Sequence, residues 1–593
     1  MTSKPVPGAR HDGEQTTFTL FAPTAAAAKL VLPDLGEERD LIDVGNGYHQ
    51  LTATDLGPGT RYMFRTCDMS DARPDPASLW QPMGVHGYSV VVDGSLFSRK
   101  RPAAPERELR DMILYELHVG TFTPEGTLDA AAKHLSDLVE LGINTVELMP
   151  LNQCPGQRNW GYDGVYWCAV QSNYGGPEAL ARFIDAAHEL GVSVIVDAVY
   201  NHLGPEGNYL PEFAPYLTDK HHTPWGPAIN LDDKHSDGVR DLILTSAKTW
   251  LVDYGADGLR LDAVHALRDS SATHILQELS AACETWGADV NRTYTLIAEC
   301  DLNDPRYLDP VSDNGMGMSG QWVDEFHHAL RAKLTGDKRS YYSDFGSDET
   351  LLKVMRDGYA YTGEYSPHRG RRFGRSSSDV RPGQFVVFGQ NHDQVGNRAR
   401  GERLGEHLSE DLYLCAAATV LWSPFTPMLW MGEEYNEQAP FPYFVDHGDA
   451  HILKATREGR IREFEPFLDA GEKVPDPGLK STFDAAKLSH QREGRVADFY
   501  RQALAARQQH FGDRVQRMDA QEARWLATDV LMWRMPLASS GAIVVLVNYS
   551  EATYQFASDP GTQKLASDTA ACSTKPITDN GLPEHTAGLW IEK

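Results

Sequence analysis

Between about residues 110 and 431, eight short apolar segments alternate with longer stretches of helical periodicity, and this alternation constrains the fold more than any other feature. Short apolar runs separated by amphipathic stretches are typical of a parallel sheet whose strands are joined by helices. Eight repeats of this unit predict an α/β fold in which the sheet closes into a (β/α)8 TIM barrel. A doubly wound open sheet is the structural alternative. The predicted strands cover residues 113–117, 144–148, 192–197, 258–262, 294–299, 321–323, 385–388 and 427–431.

The segments on either side of the barrel have a different pattern. Residues 1–95 contain short alternating runs separated by Gly, Asp and Pro, which predicts an N-terminal, carbohydrate-binding-like β-sandwich. Residues 515–593 return to short strands and predict a C-terminal β-sandwich. A basic, proline-containing stretch predicts a linker at 96–109, with an ordinary surface loop as the other interpretation. The barrel domain then covers 110–514. Its predicted features are helices at 128–141, 178–190 and 496–510 and a short insertion at about 201–238.

Composition narrows the classes of partner. The chain of 593 residues carries 83 Asp and Glu against 55 Lys and Arg, a formal net charge of −28. Because such a surface repels phosphate backbones, nucleic acids are not expected as partners, whereas a neutral sugar is compatible with it. No run of about 18 apolar residues occurs, which predicts no membrane span, and the first residues lack the apolar core of a signal peptide. The seven cysteines are scattered without a C-x-x-C pair, so we expect reduced thiols in a cytoplasmic protein and no zinc site.

Four carboxylates follow predicted strands at the point where each strand ends: Asp197, Asp262, Glu299 and, just beyond the seventh strand, Asp393. In a TIM barrel the carboxyl ends of all strands form the face that carries the active site. A carboxylate at the end of an apolar strand is costly to bury unless it is paired or functional. Any one of these acids alone fits a salt-bridged or capping role equally well. Four that converge on one face favour glycoside hydrolysis, which uses one ionised and one protonated carboxyl group.

The surroundings of two of these acids predict which one is ionised. Arg260 precedes Asp262 by two residues, so both side chains point the same way from an extended strand, and the guanidinium favours an ionised nucleophile. Glu299 follows the apolar run 294–298 and lies among other acids, which favours a protonated general acid. Asp197 is predicted to orient neighbours such as Arg260 rather than to take part in the chemistry.

Four segments match, in order, the four motifs of the α-amylase superfamily: 197–202 (DAVYNH), 258–265 (GLRLDAVH), the strand ending in Glu299, and 391–393 (NHD). One such motif is a weak signal, but all four on successive predicted strands are a strong one. The resemblance implies that Asp262 is the nucleophile, Glu299 the acid/base and Asp393 the stabiliser of the transition state. It also implies retention of the α configuration through a covalent glycosyl-enzyme.

The resemblance carries further single positions over to this chain. His202 and His392 match histidines that hydrogen-bond hydroxyls of the sugar at the cleavage site, and Arg260 matches the arginine beside the nucleophile. Tyr162, in the run 160–163 (WGYD), matches the tyrosine that stacks on that sugar, and a flat ring suits the C–H face of glucose. A structural histidine or a core tyrosine is the alternative at these positions. Neighbouring positions predicted to bind substrate are Asp163, His265 and Asn397.

Loops outside these motifs are similar to those of the family of maltooligosyltrehalose trehalohydrolases. The matching stretches lie at 201–210, 223–226, 297–306, 322–330, 390–397, 431–435 and 440–447. The likeness covers about residues 110–450 and extends more loosely into both flanks, with Cys300 where a serine is expected. It implies a retaining hydrolase that cleaves the α-1,4-glucosidic bond next to the terminal trehalose of maltooligosyltrehalose, in trehalose biosynthesis from α-glucans. It also implies a pathway shared with maltooligosyltrehalose synthase.

Selection of the trehalose end requires polar groups that fit a 1,1-linked disaccharide. These groups would line the acceptor side, which is the part of the site beyond the cleavage site. Candidates for it are Asp324, His328, Trp225 and Phe444, with packing of the loop layer as the alternative for the aromatic residues. No cofactor is expected, because this hydrolysis needs only water. No metal is expected either, because the loop that carries calcium in calcium-dependent relatives, here at 201–238, is short and lacks a dense run of oxygen ligands.

Two other functions are compatible with part of this pattern. A glycogen-branching or α-1,6-debranching enzyme of the same superfamily would share every catalytic residue, so only its products would distinguish it. A non-catalytic glucan-binding relative would typically lose one of the three acids, whereas Asp262, Glu299 and Asp393 are all present.

Overall fold

The computed structural model describes residues 4–98, 102–465, 468, 473–559, 562–566, 568–578 and 580–592. Residues 99–101 of the predicted linker lie outside the described residues. The linker region begins with the short helix α1 (Ser95–Ser98), and residues 102–108 have no regular secondary structure.

The N-terminal strands form one antiparallel sheet that folds back on itself. The strands are β1 (Gly8–His11), β2 (Thr16–Phe21), β3 (Ala28–Leu32), β4 (Glu37–Gly45), β5 (Tyr48–Ala53), β6 (Arg61–Thr66) and β7 (Ser89–Val90), in the spatial order β1-β2-β5-β4-β3-β6-β7. The long strand β4 pairs with β3 through residues 37–41 and with β5 through residues 42–45. Phe18 of β2 and Phe64 of β6 share one buried apolar cluster, so the two halves of the sheet face each other as the predicted sandwich.

Eight parallel strands close into a barrel, which confirms the predicted fold class. The strands of the middle region are β8 (Leu114–Leu117), β9 (Thr145–Leu148), β10 (Asn152–Gln153), β11 (Tyr166–Val170), β12 (Ser193–Ala198), β13 (Leu217–Thr223), β14 (Gly226–Ile229), β15 (Gly258–Leu261), β16 (Thr295–Glu299), β17 (Gly320–Trp322), β18 (Tyr365–Ser366), β19 (Arg371–Arg372), β20 (Phe385–Phe388) and β21 (Thr426–Trp430). The barrel order is β8-β9-β12-β15-β16-β17-β20-β21. The pairs β10–β11, β13–β14 and β18–β19 are two-stranded ribbons in the loops.

Helices surround the barrel and follow its strands. They are α2 (Val119–Phe122), α3 (Leu128–Ala132), α4 (Leu135–Leu141), α5 (Gly176–Glu189), α6 (Leu210–Phe213), α7 (Ser236–Lys248), α8 (Ile275–Val290), α9 (Asp324–Thr335), α10 (Asp348–Asp357), α11 (His392–Gly396), α12 (Glu410–Leu421), α13 (Ala450–Phe464), α14 (Lys480–Asp484) and α15 (Arg495–His510). The single helix predicted at 128–141 is wrong, because Lys133 and His134 donate their N–H groups to carbonyls three residues earlier. This tighter turn divides the segment into α3 and α4.

Side chains that point into the barrel change from apolar to polar along the strands. Leu114 and Ile297 belong to a buried cluster drawn from six barrel strands, which places that cluster in the barrel interior. Side chains two residues apart on a strand share a face, so Glu116 and Glu299 also point inward, nearer the carboxyl ends of β8 and β16. The polar site therefore lies at the carboxyl ends of the strands, as expected for this fold. Apolar side chains fill the barrel interior beneath it.

The C-terminal strands form a five-stranded sheet, ordered β22-β23-β24-β28-β26, and the pair β25–β27. Their bounds are β22 (Glu522–Ala527), β23 (Val530–Pro536), β24 (Ala542–Asn548), β25 (Tyr554–Gln555), β26 (Cys572–Ser573), β27 (Gly581–Leu582) and β28 (Thr586–Glu592). Trp533 on one face joins the core cluster of the barrel, whereas Trp590 on the other face packs in a separate cluster with Leu582. The C-terminal region therefore has the two β layers expected of a sandwich.

Two further features concern the cysteines and the length of the helices. All seven cysteines are unpaired. Within the described part of the chain, every helix is too short or too polar to cross a bilayer.

Candidate active site

Arg260, on β15, is fully buried and lies at the centre of the polar side chains at the carboxyl end of the barrel. Its Nη1 atom donates to the two carboxylate oxygens of Asp197 at 2.7 Å and 2.8 Å and to Oδ1 of Asp262 at 2.9 Å. Its Nη2 atom donates to Oε2 of Glu299 at 2.8 Å. The guanidinium also lies over the ring of Trp322, 4.2 Å from the centroid. One cation therefore joins three of the four acids that the sequence places at strand ends.

Asp262 is held in its ionised form by this arrangement. Burial alone would raise the pKa of Asp262, but the Arg260 guanidinium, with His202 and the amide of Asn201, holds it below its ordinary value. The Asn201 Nδ2 group donates to Oδ2 of Asp262 at 2.8 Å. An ionised, oriented carboxylate is what a carbohydrate nucleophile requires.

Glu299 differs from Asp262 although the two share the same cation. Burial raises the pKa of Glu299 well above its ordinary value, and repulsion from Asp262 and Asp393 adds to this effect against the opposing Arg260. The backbone N–H of Ala263 donates to Oε2 of Glu299 at 2.8 Å. Ala263 reaches this position with a φ of +39°, a left-handed conformation that is strained for a residue with a Cβ atom. The surroundings of the pair thus favour an ionised Asp262 and a protonated Glu299.

Asp393 stands apart from the guanidinium of Arg260. It lies in the first turn of α11, whose N-terminus is capped by the side chain of Asn391. Its side chain is about one-third exposed, and its Oδ1 accepts a hydrogen bond of 3.1 Å from the exposed Asn397. The Nε2 atom of His392 lies 3.5 Å from the same oxygen. Asp393 is therefore open to a ligand from the mouth of the barrel.

His392 is buried against the barrel strands. Its Nδ1–H donates to Oε1 of Glu116 at 2.5 Å, and its backbone N–H donates to Oε2 of the same residue at 3.0 Å. Burial lowers the pKa of His392, but Glu116 and Asp393 outweigh it and raise the pKa to about 9. A pKa raised in this way favours the imidazolium form of His392 at neutral pH.

Tyr162 and His202 form one wall of the site. Tyr162 donates its hydroxyl to Asp197 at 2.6 Å, and its ring stacks on His392 with 5.0 Å between centroids. His202 has its Nε2 2.8 Å from the carbonyl oxygen of Tyr162. The ring of Trp225, half-exposed on the ribbon β13–β14, lies parallel to His202 at 4.7 Å. The structure thus gathers these four predicted aromatic and imidazole rings beside the acids.

Two other predicted substrate-binding residues make contacts within the protein. Asp163 accepts a hydrogen bond of 2.6 Å from Asn159 and lies 3.7 Å from His447. His265 has its Nε2 3.8 Å from Asp301. A role for either residue in binding substrate stays a prediction.

The predicted acceptor-side residues of α9 are half-buried beside the site. The Nε2 group of Gln394 donates to Asp324 at 3.1 Å. Burial, together with repulsion from Asp393, raises the pKa of Asp324 to about 7. Burial lowers the pKa of His328 to about 3, so this ring is neutral, and its Nδ1 has no hydrogen-bond partner among the described residues.

The prediction that Phe444 lines the acceptor side is wrong. Its ring is fully buried and packs on His118, Phe441 and Phe483. A ring that is closed in by other rings presents no face to a sugar, so Phe444 belongs to the packing of the loop layer.

Sequence reasoning missed two acids inside the barrel, Glu116 and Glu147. Glu147 on β9 is buried, and neither of its carboxyl oxygens has a hydrogen-bond partner among the described residues. Burial, and secondarily repulsion from Glu116, raises its pKa well above the ordinary value, which favours the protonated form of Glu147. Both could have been identified from the sequence, because each is an acid within a short apolar strand, at a position that faces the barrel interior.

The arrangement of the acids also bears on metal binding. Among the described residues, no group of three or more His, Cys, Asp or Glu side chains is arranged to hold a metal ion. The acids instead share one guanidinium.

Replacing Arg260 with methionine is expected to lower the free energy of unfolding at pH 7 by about 3–5 kcal/mol, because buried carboxylates lose their common partner. Without the cation, the carboxyl groups of Asp197 and Asp262 have higher pKa values in the folded than in the unfolded state. Such groups destabilise the fold increasingly as pH rises, so the loss should be larger at pH 8 than at pH 5. Urea unfolding at both pH values measures this. Arg182→Met, which breaks an exposed pair with Asp129, is the control and should cost less than about 1 kcal/mol; an equal cost would contradict the assignment.

Comparisons with known proteins place the chain in a family. The model of the alpha amylase catalytic domain matches residues 90–225. A malto-oligosyltrehalose trehalohydrolase from Rhizobium sp. (strain M-11) is 43% identical over 93% of this chain and 92% of its own length. The enzyme of the same name from Saccharolobus solfataricus is 43% identical over 85% of this chain and 87% of its own. A crystal structure of a putative alpha amylase from Salmonella typhimurium has a TM-score of 0.90 at 35% identity and covers 99% of both chains. The chain therefore belongs to the malto-oligosyltrehalose trehalohydrolase family of the α-amylase superfamily.

Proposed function

We propose that this chain hydrolyses the α-1,4-glucosidic bond next to the terminal trehalose of maltooligosyltrehalose and releases trehalose and a shorter maltooligosaccharide. The observation that carries the proposal is the shared guanidinium of Arg260, beside which the pKa of Asp262 is lowered and the pKa of Glu299 is raised. Two neighbouring carboxyl groups with opposite protonation are what retaining glycoside hydrolysis uses. The relatives named malto-oligosyltrehalose trehalohydrolase indicate the substrate.

In the first step Glu299 donates its proton to the glycosidic oxygen, and the bond between that oxygen and C1 breaks. Asp262 attacks C1 from the opposite side and forms a glycosyl ester. The Ala263 N–H and Arg260 keep contact with Glu299 and stabilise the carboxylate that it becomes. The leaving group departs as the trehalose product.

In the second step the ionised Glu299 takes a proton from a water molecule whose oxygen attacks C1, and the ester bond to Asp262 breaks. Two inversions at C1 leave the α configuration of the new reducing end unchanged. Asp393 and His392 act on the sugar hydroxyls at the cleavage site, and Tyr162 stacks on the ring face. Arg260 and Asp197 hold the acids in place throughout.

Recognition of the trehalose end is assigned to groups beyond the cleavage site. Trp225 remains half-exposed while it stacks on His202, so it offers ring surface to a sugar next to the scissile bond. Asp324 and His328 supply polar groups on the α9 side. A site built around specific hydroxyls rejects a ligand that leaves its buried polar groups unpaired.

We also infer a cytoplasmic location and a pathway partner. Seven unpaired cysteines without a C-x-x-C pair suit a reducing compartment. The substrate must be supplied by an enzyme that converts the reducing end of an α-1,4-glucan into a 1,1-linkage, which is the reaction of a maltooligosyltrehalose synthase.

A product assay tests the proposal. The protein is incubated at matched concentrations with maltohexaose and with the same oligomer carrying a trehalose end, and products are separated by chromatography. Rapid release of trehalose from the second substrate with slow cleavage of the first is expected. Equal cleavage of both would indicate a general α-1,4 amylase, and transfer of chain segments would indicate branching. No product from either would favour a debranching enzyme or a glucan-binding protein, and cleavage of a glucan with α-1,6 branches would distinguish these two.

A further inference from the structure

Glu116 makes a two-point contact with His392 from a distant part of the chain. The carboxylate lies on β8, the first barrel strand, and His392 begins α11 after the seventh. One carboxylate oxygen accepts from the imidazole Nδ1–H and the other from the backbone N–H of the same residue. Both side chains are only 1% exposed, so water does not compete for these hydrogen bonds.

The position of the ring is further defined by its neighbours. Tyr162 stacks on it at an interplanar angle of 24°, and Trp160 and Trp322 contact it at centroid distances of 5.8 Å. With Nδ1 bound to Glu116, the remaining ring nitrogen, Nε2, lies 3.5 Å from Asp393. The charged or titratable groups that face His392 are Glu116, Asp393, Arg260, Glu147, Asp197, Asp262 and His118.

We propose that Glu116 is a positioning residue of the hydrolytic reaction, which holds His392 as a doubly protonated imidazolium and directs its Nε2–H toward Asp393 and the sugar at the cleavage site. This inference rests on the proposed function. An imidazolium donates a charge-assisted hydrogen bond, which is about twice as strong as a neutral one. A preorganised cationic donor is most effective in the transition state, where charge develops on the sugar and its leaving group.

The variant Glu116→Gln separates this role from mere packing, because it has nearly the same shape. The backbone N–H of His392 is always a donor, so the glutamine carbonyl must accept from it. The glutamine NH2 group then faces Nδ1, which must give up its proton to accept a hydrogen bond. The substitution therefore leaves His392 in place as a neutral imidazole with its proton on Nε2.

The first measurement is kinetic. In Glu116→Gln, kcat for trehalose release should fall by about 10- to 100-fold while KM changes by less than about 3-fold, because the stronger donor acts mainly in the transition state. The matched control is Glu147→Gln, which alters a buried barrel glutamate of the neighbouring strand that has no hydrogen bond to His392. Its kcat should stay within about 3-fold of wild type, because neither carboxyl oxygen of Glu147 has a hydrogen-bond partner among the described residues to lose.

A double-mutant cycle shows whether Glu116 acts through His392. In a His392→Gln background, adding Glu116→Gln should lower kcat by less than about 2-fold, because the partner through which Glu116 acts is absent. Independent, multiplicative losses would overturn the proposal. Thermal unfolding of each variant verifies that it is folded.

Nitrogen NMR of histidine-labelled protein gives a readout that needs no turnover. The His392 signals are assigned by their loss in His392→Gln. At pH 7.5 we expect both ring nitrogens protonated in the wild type and only Nε2 in Glu116→Gln. A wild-type ring with one protonated nitrogen would overturn the proposal even if the variant does not fold. If the wild type releases no trehalose but both ring nitrogens are protonated, the proposed function is wrong. The conclusion that Glu116 holds His392 as an imidazolium would then still be supported.

Discussion

Replacing Asp262 with alanine is expected to lower kcat for trehalose release by at least about 10⁴-fold, because no covalent intermediate can form without the attacking carboxylate. Asn201 and Arg260 would remain in place around an empty position, so the fold should persist. Initial rates measured by chromatographic quantification of trehalose give the size of the loss. Calorimetric binding of the trehalose-ended oligomer shows whether the variant still recognises its substrate.

Added azide provides the matching control for this variant. In Asp262→Ala the small anion can occupy the vacated space and attack C1 from the side that the carboxylate used. We expect a partial recovery of substrate cleavage with a β-glycosyl azide as product, and no such product from the wild type. A variant that keeps more than one-tenth of the wild-type rate without azide would exclude Asp262 as the nucleophile.

Replacing Glu299 with glutamine is expected to lower kcat on the natural substrate by about 10²- to 10⁴-fold, because the amide cannot supply a proton to the leaving oxygen. On an activated aryl maltooligoside, whose leaving group needs no proton, the first step should be much less affected. Values of kcat/KM on the two substrates measure this difference, because they report the first step and exclude the second, in which Glu299 acts as a base. Equal losses on both would indicate that Glu299 positions the sugar instead of acting as the general acid.

The pH profile supports the same distinction. The pKa of Glu299 is raised, so its protonated form is lost, and kcat/KM falls, as pH rises through that value. The pKa of Asp262 is lowered, so its ionised form is lost only at acidic pH. In Glu299→Gln the alkaline fall in kcat/KM should therefore move to higher pH while the acidic limb stays. An unchanged alkaline limb would assign that limb to another group.

Local patterns in the sequence were sufficient for the barrel and for the acids at its mouth. Strand and helix periodicities depend on residues within a few positions of one another, so the strands near 193–198, 258–261 and 295–299 are recognisable without tertiary information. The two-residue spacing of Arg260 and Asp262 likewise fixes that their side chains share a face. The break at Lys133 and His134 escaped the pattern, because a tighter turn can interrupt a helix without changing its apolar periodicity.

Burial and partnership between distant segments were decided by the tertiary structure alone. From the sequence, Phe444 is a candidate to line the acceptor side. In the structure its ring is enclosed by His118 and Phe483, which are distant in the chain. Glu116 and His392 are 276 residues apart, and only closure of the barrel between its last and first strands brings them together. The raised pKa of Asp324 follows from the same packing, because a pKa depends on the charges and solvent around a group rather than on its neighbours along the chain. The sequence by itself thus determined which acids reach the mouth of the barrel and indicated how Asp262 and Glu299 differ, because these features depend on residues a few positions apart. The packing of distant elements determined which side chains are buried and which partners they meet.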